Sequence, residues 1–141
     1  MRPERLTLKA QEAFADAQHL AEKHHHQQID EIHIALALLN QQDGTVSALL
    51  KKIGVSVDSL SRTLEEQIKK MPQVTGGGAT GTLYAAPGMI ALLDHAEKEA
   101  QALQDEYVST EHLFLALLSE KGAIASLLHK NGIKREKVLS A

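Results

Sequence analysis

The chain has 141 residues, with 15 basic and 18 acidic side chains, a formal net charge of −3 and no cysteine. A chain without cysteine forms no disulfide or thiolate metal site, and one without a basic excess lacks the charge that neutralises nucleic-acid phosphates. The N-terminal residues lack the apolar core of a signal peptide, and no run approaches the roughly 20 apolar residues needed to span a bilayer. Composition therefore predicts one cytoplasmic domain over residues 1–141 that binds neither nucleic acid nor membrane.

Four helices are predicted between residues 6 and 71, because apolar side chains recur there at helical spacing. Apolar residues surround much of the circumference of the second helix, so it is expected to lie deep in the fold. Thr7 suits the N-cap of the first helix and Asp30 the N-cap of the second. Gly44 separates the second helix from the third. Gly54 is expected to end the third helix in the left-handed conformation that costs glycine little.

Residues 72–86 are rich in glycine and have no helical period, which predicts a linker. Pro87 suits the first turn of the next helix, and Ser109 is expected to cap the following one as Asp30 caps its counterpart. The last eight residues look like the start of a final, short helix. Valine and isoleucine fall at helical spacing throughout, so no strand is expected.

The chain contains an internal duplication. HIALALLN at His33–Asn40 returns as HLFLALLS at His112–Ser119, and TVSALLKKIG at Thr45–Gly54 returns as AIASLLHKNG at Ala123–Gly132. A repeated block of this length indicates a supersecondary unit that buries its apolar face against its twin. The sequence therefore predicts an all-α fold of eight helices, in two four-helix repeats (6–71 and 87–141) related by a pseudo-twofold axis.

Two patterns that resemble chemical motifs have simpler explanations. Gly76, Gly78 and Gly81 spell G-x-G-x-x-G, but no strand precedes them, and Thr82 stands where a P-loop needs its lysine. His24–His26 are consecutive, so their side chains point in different directions and do not converge on a metal ion. We expect no metal site and no cofactor in this domain.

His33 and His112 each lie three residues after a predicted cap, where a side chain can bond back to the start of its helix. This structural role recurs wherever the unit recurs. No serine or cysteine lies in a recognisable nucleophile setting. No catalytic residue is therefore predicted.

Acidic residues surround the start of the second copy of the motif. A carboxylate at Glu111 is favoured by the helix dipole, typically by ~0.3 to 1 kcal/mol, so stability alone can account for it. The alternative is that Asp105 and Glu111 flank an apolar groove between the halves, near Thr7, Phe14 and Leu93, and attract basic, unfolded polypeptide.

Several stretches resemble the N-terminal domains of the ClpB disaggregase family: MRPERLT at the N-terminus, ADAQHLA at Ala15–Ala21, HIALALLNQQDGTVSALLKKIGV from His33, and MPQVTG at Met71–Gly76. The resemblance covers essentially the whole chain and implies a Clp N-domain that engages unfolded or aggregated proteins for a hexameric ATPase. ATP and Mg belong to ATPase modules absent from this chain, and cooperation with a DnaK-type chaperone system belongs to an absent middle domain. The isolated domain is expected to be a monomer.

The same resemblance assigns substrate engagement to Thr7, Asp105 and Glu111, and places Leu93 in an apolar groove. Related ClpC domains bind phosphorylated arginine through a glutamate in each copy of the motif; Glu111 matches the second, whereas Ile32 replaces the first. Adaptor docking, as in ClpA- and ClpC-like N-domains, is the alternative function. A histidine-metal hydrolase is a third class, which would require bound metal and turnover.

Overall fold

The computed structural model describes residues 3–73, 83–119 and 121–141. The first half contains a short 3-10 helix and four α-helices: Pro3–Arg5, then α1 Leu8–Lys23, α2 Glu31–Asn40, α3 Thr45–Ile53 and α4 Val57–Lys70. The second half contains four more: α5 Pro87–Ala102, α6 Thr110–Ser119, α7 Ala123–Lys130 and α8 Arg135–Ser140. Two strands of two residues each, β1 Gln28–Ile29 and β2 Tyr84–Ala85, complete the regular structure of the described ranges.

The two halves repeat one helical unit. α1 and α5 have 16 residues each, α2 and α6 have 10 each, and α3 and α7 have 9 and 8. α4 has 14 residues and α8 only 6, so the second unit ends in a short helix, as predicted. The prediction of eight helices in two pseudo-twofold-related repeats is confirmed for the described ranges, while the repeat boundaries at residues 71 and 87 stay predictions. None of the described helices is long and apolar enough to cross a membrane.

The core is centred on α2 and α6, which contact each other. Their apolar side chains are at most 2% exposed at Ile34, Leu36, Leu38, Leu113, Leu115 and Leu117. Fully burying one such side chain contributes about 1.5 to 3 kcal/mol. α1 packs on α2 through a stripe of fully buried alanines, at Ala10, Ala13, Ala17 and Ala21, whose small side chains permit close approach. Leu38, Leu39, Leu117 and Leu118 are buried, as the duplication predicted.

Local signals fix the helix ends. The Thr7 hydroxyl accepts the Ala10 N–H at 3.2 Å, and the Asp30 carboxylate accepts the Glu31 N–H at 2.8 Å. Gly54 ends α3 with φ +95°, a conformation that costs residues with a Cβ about 1 to 2 kcal/mol. The predicted caps are therefore confirmed at these three positions.

Two short backbone pairings join one repeat to the other. β1 and β2 run parallel, with Ile29 opposite Ala85, and an isolated parallel bridge places Leu6 opposite Val108. Leu6, just before α1, pairs with Val108, just before α6. In the same way β2, just before α5, pairs with β1, just before α2. The start of each second helix is therefore assembled from both repeats.

The expected absence of strands was wrong at residues 28–29 and 84–85, whereas the linker over residues 72–86 stays a prediction. Ala86 precedes a proline and has extended backbone, with φ −66° and ψ 155°, which continues the extended conformation of β2 up to the start of α5. A pairing of two residues shows no period in the sequence, so it could not be read there. The glycine motif and the P-loop comparison concern Gly76, Gly78, Gly81 and Thr82, which lie outside the described residues.

Candidate functional site

Three of the predicted site residues lie around one backbone pairing. The Thr7 N–H donates to the Val108 carbonyl at 3.0 Å, and the Val108 N–H donates to the Arg5 carbonyl at 2.8 Å. Asp105 lies three residues before Val108, and Glu111 lies three residues after it in the first turn of α6. We call Thr7, Asp105 and Glu111 the acidic corner. Thr7 belongs to the first repeat and the two acids to the second, so the corner requires both halves.

Asp105 is held at the end of α5. Gln104 adopts φ +60°, which turns the chain, and the Asp105 N–H then donates to the Ala100 carbonyl at 2.8 Å. One carboxylate oxygen lies 2.8 Å from Nε2 of His112, while 52% of the Asp105 side chain remains exposed. The carboxylate is therefore both anchored and open to solvent.

His112 connects this carboxylate to the start of α6. Its Nδ1 accepts the Ser109 N–H at 2.8 Å and lies 3.0 Å from the Ser109 hydroxyl. A ring nitrogen that accepts a backbone N–H carries no proton, so the neutral imidazole has its proton on Nε2 and donates it to Asp105. The sequence predicted the bond to the helix start but missed the link to Asp105. The signal that could have revealed this link is the spacing of seven residues between Asp105 and His112, which recurs between His26 and His33 in the first repeat.

Glu111 is half-buried in the first turn of α6. The Thr110 hydroxyl donates to its carboxylate at 3.4 Å, a weak interaction. The partial positive charge at the helix start favours a carboxylate there. Glu111 therefore adds a negative charge in the first turn of α6.

The first repeat builds the same hydrogen-bond chain without the carboxylate. The Asp30 N–H donates to Nδ1 of His33 at 2.9 Å, and Nε2 of His33 lies 2.9 Å from Nδ1 of His26. His26 stands at the position equivalent to Asp105, and its N–H donates to the Ala21 carbonyl at 2.9 Å, matching Asp105 and Ala100. The bond from a motif histidine to its helix start is therefore confirmed in both repeats.

Burial governs the protonation of this histidine pair. Burial, followed by the neighbouring His26, lowers the pKa of His33 to about 4, while Asp30 acts in the opposite direction. Burial, followed by His24, also lowers the pKa of His26. His33 is therefore neutral at pH 7. In the described ranges no group of three or more histidine or acidic residues is placed to hold a metal ion.

The two predicted apolar residues lie on the outer helices. Phe14 on α1 and Leu93 on α5 are partly buried and pack against the core, whereas the adjacent Leu92 is fully buried. Two exposed apolar side chains beside the corner were not predicted from the sequence: Leu8, 77% exposed, follows Thr7, and Tyr107, 49% exposed, precedes Val108. Leu8 lies outside the stripe of buried alanines on α1, and its place in the helical period is the sequence signal that indicates an exposed side chain.

Residues 5–131 match the family described as the Clp repeat (R) N-terminal domain. The chain belongs to this family. This Clp N-terminal domain is 44% identical over 137 residues to the chaperone protein ClpB of Bacillus cereus, an alignment that covers 96% of the chain and 16% of ClpB. The chain therefore spans about a sixth of the length of the curated relatives it matches.

Solved structures share the fold. The N-terminal domain of Hsp104 from Candida albicans superposes with a TM-score of 0.81 at 21% identity, covering 96% of this chain and 87% of that one. A ClpV N-domain in complex with a VipB peptide gives a TM-score of 0.78 at 23% identity, covering 96% of this chain and 82% of that one. These similarities establish the Clp N-domain fold.

Proposed function

We propose that this Clp N-terminal domain engages unfolded or aggregated polypeptide on behalf of a ClpB-type, ATP-dependent protein disaggregase. The 44% identity to ClpB over 96% of the chain supports this assignment. In this proposal the hexameric ATPase, its ATP and Mg, and any cooperation with a DnaK-type chaperone system belong to parts of the protein beyond this domain. The domain itself supplies binding without catalysis, in the cytoplasm.

The acidic corner is the proposed contact for the client. Asp105 and Glu111 stand three residues to either side of Val108, whose carbonyl accepts the Thr7 N–H. An unfolded polypeptide exposes the lysine and arginine side chains that two such carboxylates attract. Complementary charge raises the rate of encounter and selects among clients, while apolar contacts supply most of the affinity. Leu93 and Phe14, together with the exposed Leu8 and Tyr107, are the proposed apolar partners.

The observation that carries this proposal is the half-exposed, anchored carboxylate of Asp105, 2.8 Å from His112. A carboxylate that served only to accept a hydrogen bond from a buried histidine would need no such exposure. A fixed and accessible carboxylate loses little side-chain entropy when a cationic ligand binds.

A titration tests the proposal. A fluorescently labelled, unstructured peptide of alternating arginine and leucine is titrated with the unmodified domain and with an Asp105→Asn, Glu111→Gln double variant. We expect the double variant to bind about tenfold more weakly, because it loses two ligand contacts at one site. Glu66→Gln, which removes an exposed carboxylate from α4, is the control and should leave the affinity unchanged.

Equal affinities for the double variant and the control would remove the acidic corner from the proposal. Adaptor docking, the alternative function, is tested in the same assay. A domain that binds folded adaptor proteins but shows no affinity for the peptide would favour that alternative.

A further inference from the structure

His112 makes two hydrogen bonds of different kinds from one buried ring. The residue is 3% exposed. Its Nδ1 accepts the Ser109 N–H at 2.8 Å, which satisfies the start of α6, and its Nε2 donates to the Asp105 carboxylate at 2.8 Å. The first bond fixes the tautomer that the second one requires.

Capping alone does not account for the second bond. The cap needs an acceptor only at the Nδ1 position, where the side chain meets the backbone N–H. The donor at Nε2 faces away from the cap and restrains a side chain seven residues earlier, at the end of α5. A half-exposed aspartate without this donor would be free to populate several rotamers.

In the first repeat the equivalent histidine caps its helix but does not bind a carboxylate. His33 makes the same cap bond, but its Nε2 meets His26, which is 6% exposed. Ile32, 7% exposed, occupies the position of Glu111, and Ala86 occupies that of Thr7. We call Ala86, His26 and Ile32 the equivalent corner. Its acids, Asp30 and Glu31, stand at the positions of Ser109 and Thr110, and the Asp30 carboxylate caps α2. Nε2 of His33 therefore has no carboxylate to position.

We propose that His112 is a positioning residue that orients the Asp105 carboxylate toward a cationic client, so that only one of the two equivalent corners engages substrate. This inference rests on the proposed function. The inference goes beyond the proposed function because it assigns a role to the buried His112 side chain and restricts the binding site to the acidic corner. The basic client contacts Asp105, while His112 acts through Asp105 alone.

Asparagine at position 112 separates positioning from capping. Its side-chain oxygen lies where Nδ1 lies in histidine, so His112→Asn retains an acceptor for the Ser109 N–H but has no donor that reaches Asp105. His33→Asn makes the same change in the first repeat and is the matched control. Both variants lose a buried ring, so both should lose stability to a similar degree.

The experiment is a double-mutant cycle on the arginine-leucine peptide affinity of the full chain. Asp105→Asn and His112→Asn should each raise the dissociation constant about three- to tenfold, and the double variant should bind no more weakly than Asp105→Asn alone, because His112 acts through Asp105. His33→Asn should bind as the unmodified domain does. Additive effects of Asp105→Asn and His112→Asn would overturn the positioning role.

The single variants distinguish the two proposals. An unchanged affinity for Asp105→Asn would remove Asp105 from the proposed function. A weakened Asp105→Asn beside an unchanged His112→Asn would overturn the positioning role and leave the proposed function standing. A weakened His33→Asn would contradict the restriction to the second repeat.

A second measurement needs no folded variant at position 112. A long-range proton–nitrogen spectrum of the unmodified domain should show His112 with its proton on Nε2, and that proton should shift when the peptide is added. A proton on Nδ1, or an Nε2 proton that the peptide does not affect, would overturn the inference.

Discussion

The backbone N–H of Thr7 donates to the carbonyl of Val108 at 3.0 Å, and through this bond the start of α1 in one repeat is fixed beside the start of α6 in the other. The corresponding hydrogen bond in the other pairing is equally long: the Ala86 N–H donates to the Ile29 carbonyl at 3.0 Å. The segment before the first helix of each repeat therefore pairs with the segment before the second helix of the other repeat. Each corner combines side chains from both repeats, and only one of the two corners carries Thr7, Asp105 and Glu111.

Thr7→Ala should lower both stability and client affinity. The substitution removes the hydroxyl that accepts the Ala10 N–H, and losing such a cap costs about 1 kcal/mol. It also removes a proposed client contact. Chemical denaturation and peptide titration measure the two effects.

Ser56→Ala is the matched control for Thr7→Ala. Ser56 caps α4 by accepting the Ser59 N–H at 3.3 Å, so its loss should cost a similar amount of stability without affecting the peptide. Equal affinities of the two variants would show that Thr7 only caps its helix.

Leu93→Glu should weaken binding of the arginine-leucine peptide with a modest loss of stability. Leu93 is partly buried, so part of its surface is available to a ligand, and its replacement removes apolar contact area. The neighbouring Leu92 is fully buried, and Leu92→Ala should cost about 2 to 5 kcal/mol of unfolding free energy. Circular dichroism during thermal unfolding, combined with the titration, separates the two positions. If Leu93→Glu unfolds the domain as readily as a change at Leu92, then Leu93 belongs to the core and is no apolar anchor.

The domain should lose stability as the pH falls from about 6.5 toward 4. His33 has a pKa of about 4 in the folded state, against 6.5 for an ordinary histidine, so the unfolded chain binds a proton in this window that the folded chain does not. Stability therefore rises with pH between these values, and a difference of this size corresponds to roughly 3 kcal/mol. The stabilisation is complete above pH 6.5. Urea unfolding at a series of pH values measures the slope.

His33→Asn should flatten that slope, because it removes the titrating ring and retains an acceptor for the Asp30 N–H. His129→Gln removes an exposed imidazole from α7 and should retain the slope of the unmodified domain. A slope that survives in His33→Asn would assign the pH dependence to other groups.

The sequence predicted what depends on neighbours in the chain. The caps at Thr7 and Asp30, the left-handed Gly54 and the bond from His33 to its helix start are all made within a few residues, so residue type and spacing sufficed. The burial of Ile32 also follows from its place in an apolar helix.

The features that the sequence missed depend on contacts across longer distances. The pairing of Thr7 with Val108 joins residues about 100 positions apart, and no local pattern encodes it. The carboxylate of Asp105 meets His112 only because the turn after α5 directs it back toward α6. The two-residue strands arise where two entry segments meet, and their sequences carry no alternation.

Free phosphoarginine should bind weakly and at one site, near Glu111. The guanidinium of this ligand can pair with a carboxylate while N–H groups at a helix start receive the phosphate. Glu111 provides that carboxylate in the second repeat, whereas Ile32 is buried and uncharged in the first. Calorimetry of the unmodified domain and of Glu111→Gln measures the number of sites, and binding should vanish in the variant. Two tight sites in the unmodified domain would show that the glutamate missing at Ile32 is dispensable.

The central claim, that client polypeptide binds at the acidic corner, is tested most directly by the backbone amide spectrum of the isotope-labelled domain during titration with the arginine-leucine peptide. The equivalent corner serves as an internal control, because it has matching backbone hydrogen bonds but carries His26 and Ile32 in place of Asp105 and Glu111. Our account predicts the largest shifts at Thr7, Asp105 and Glu111, with small shifts at Ala86, His26 and Ile32. Equal shifts at both corners, or shifts confined to other helices, would contradict it.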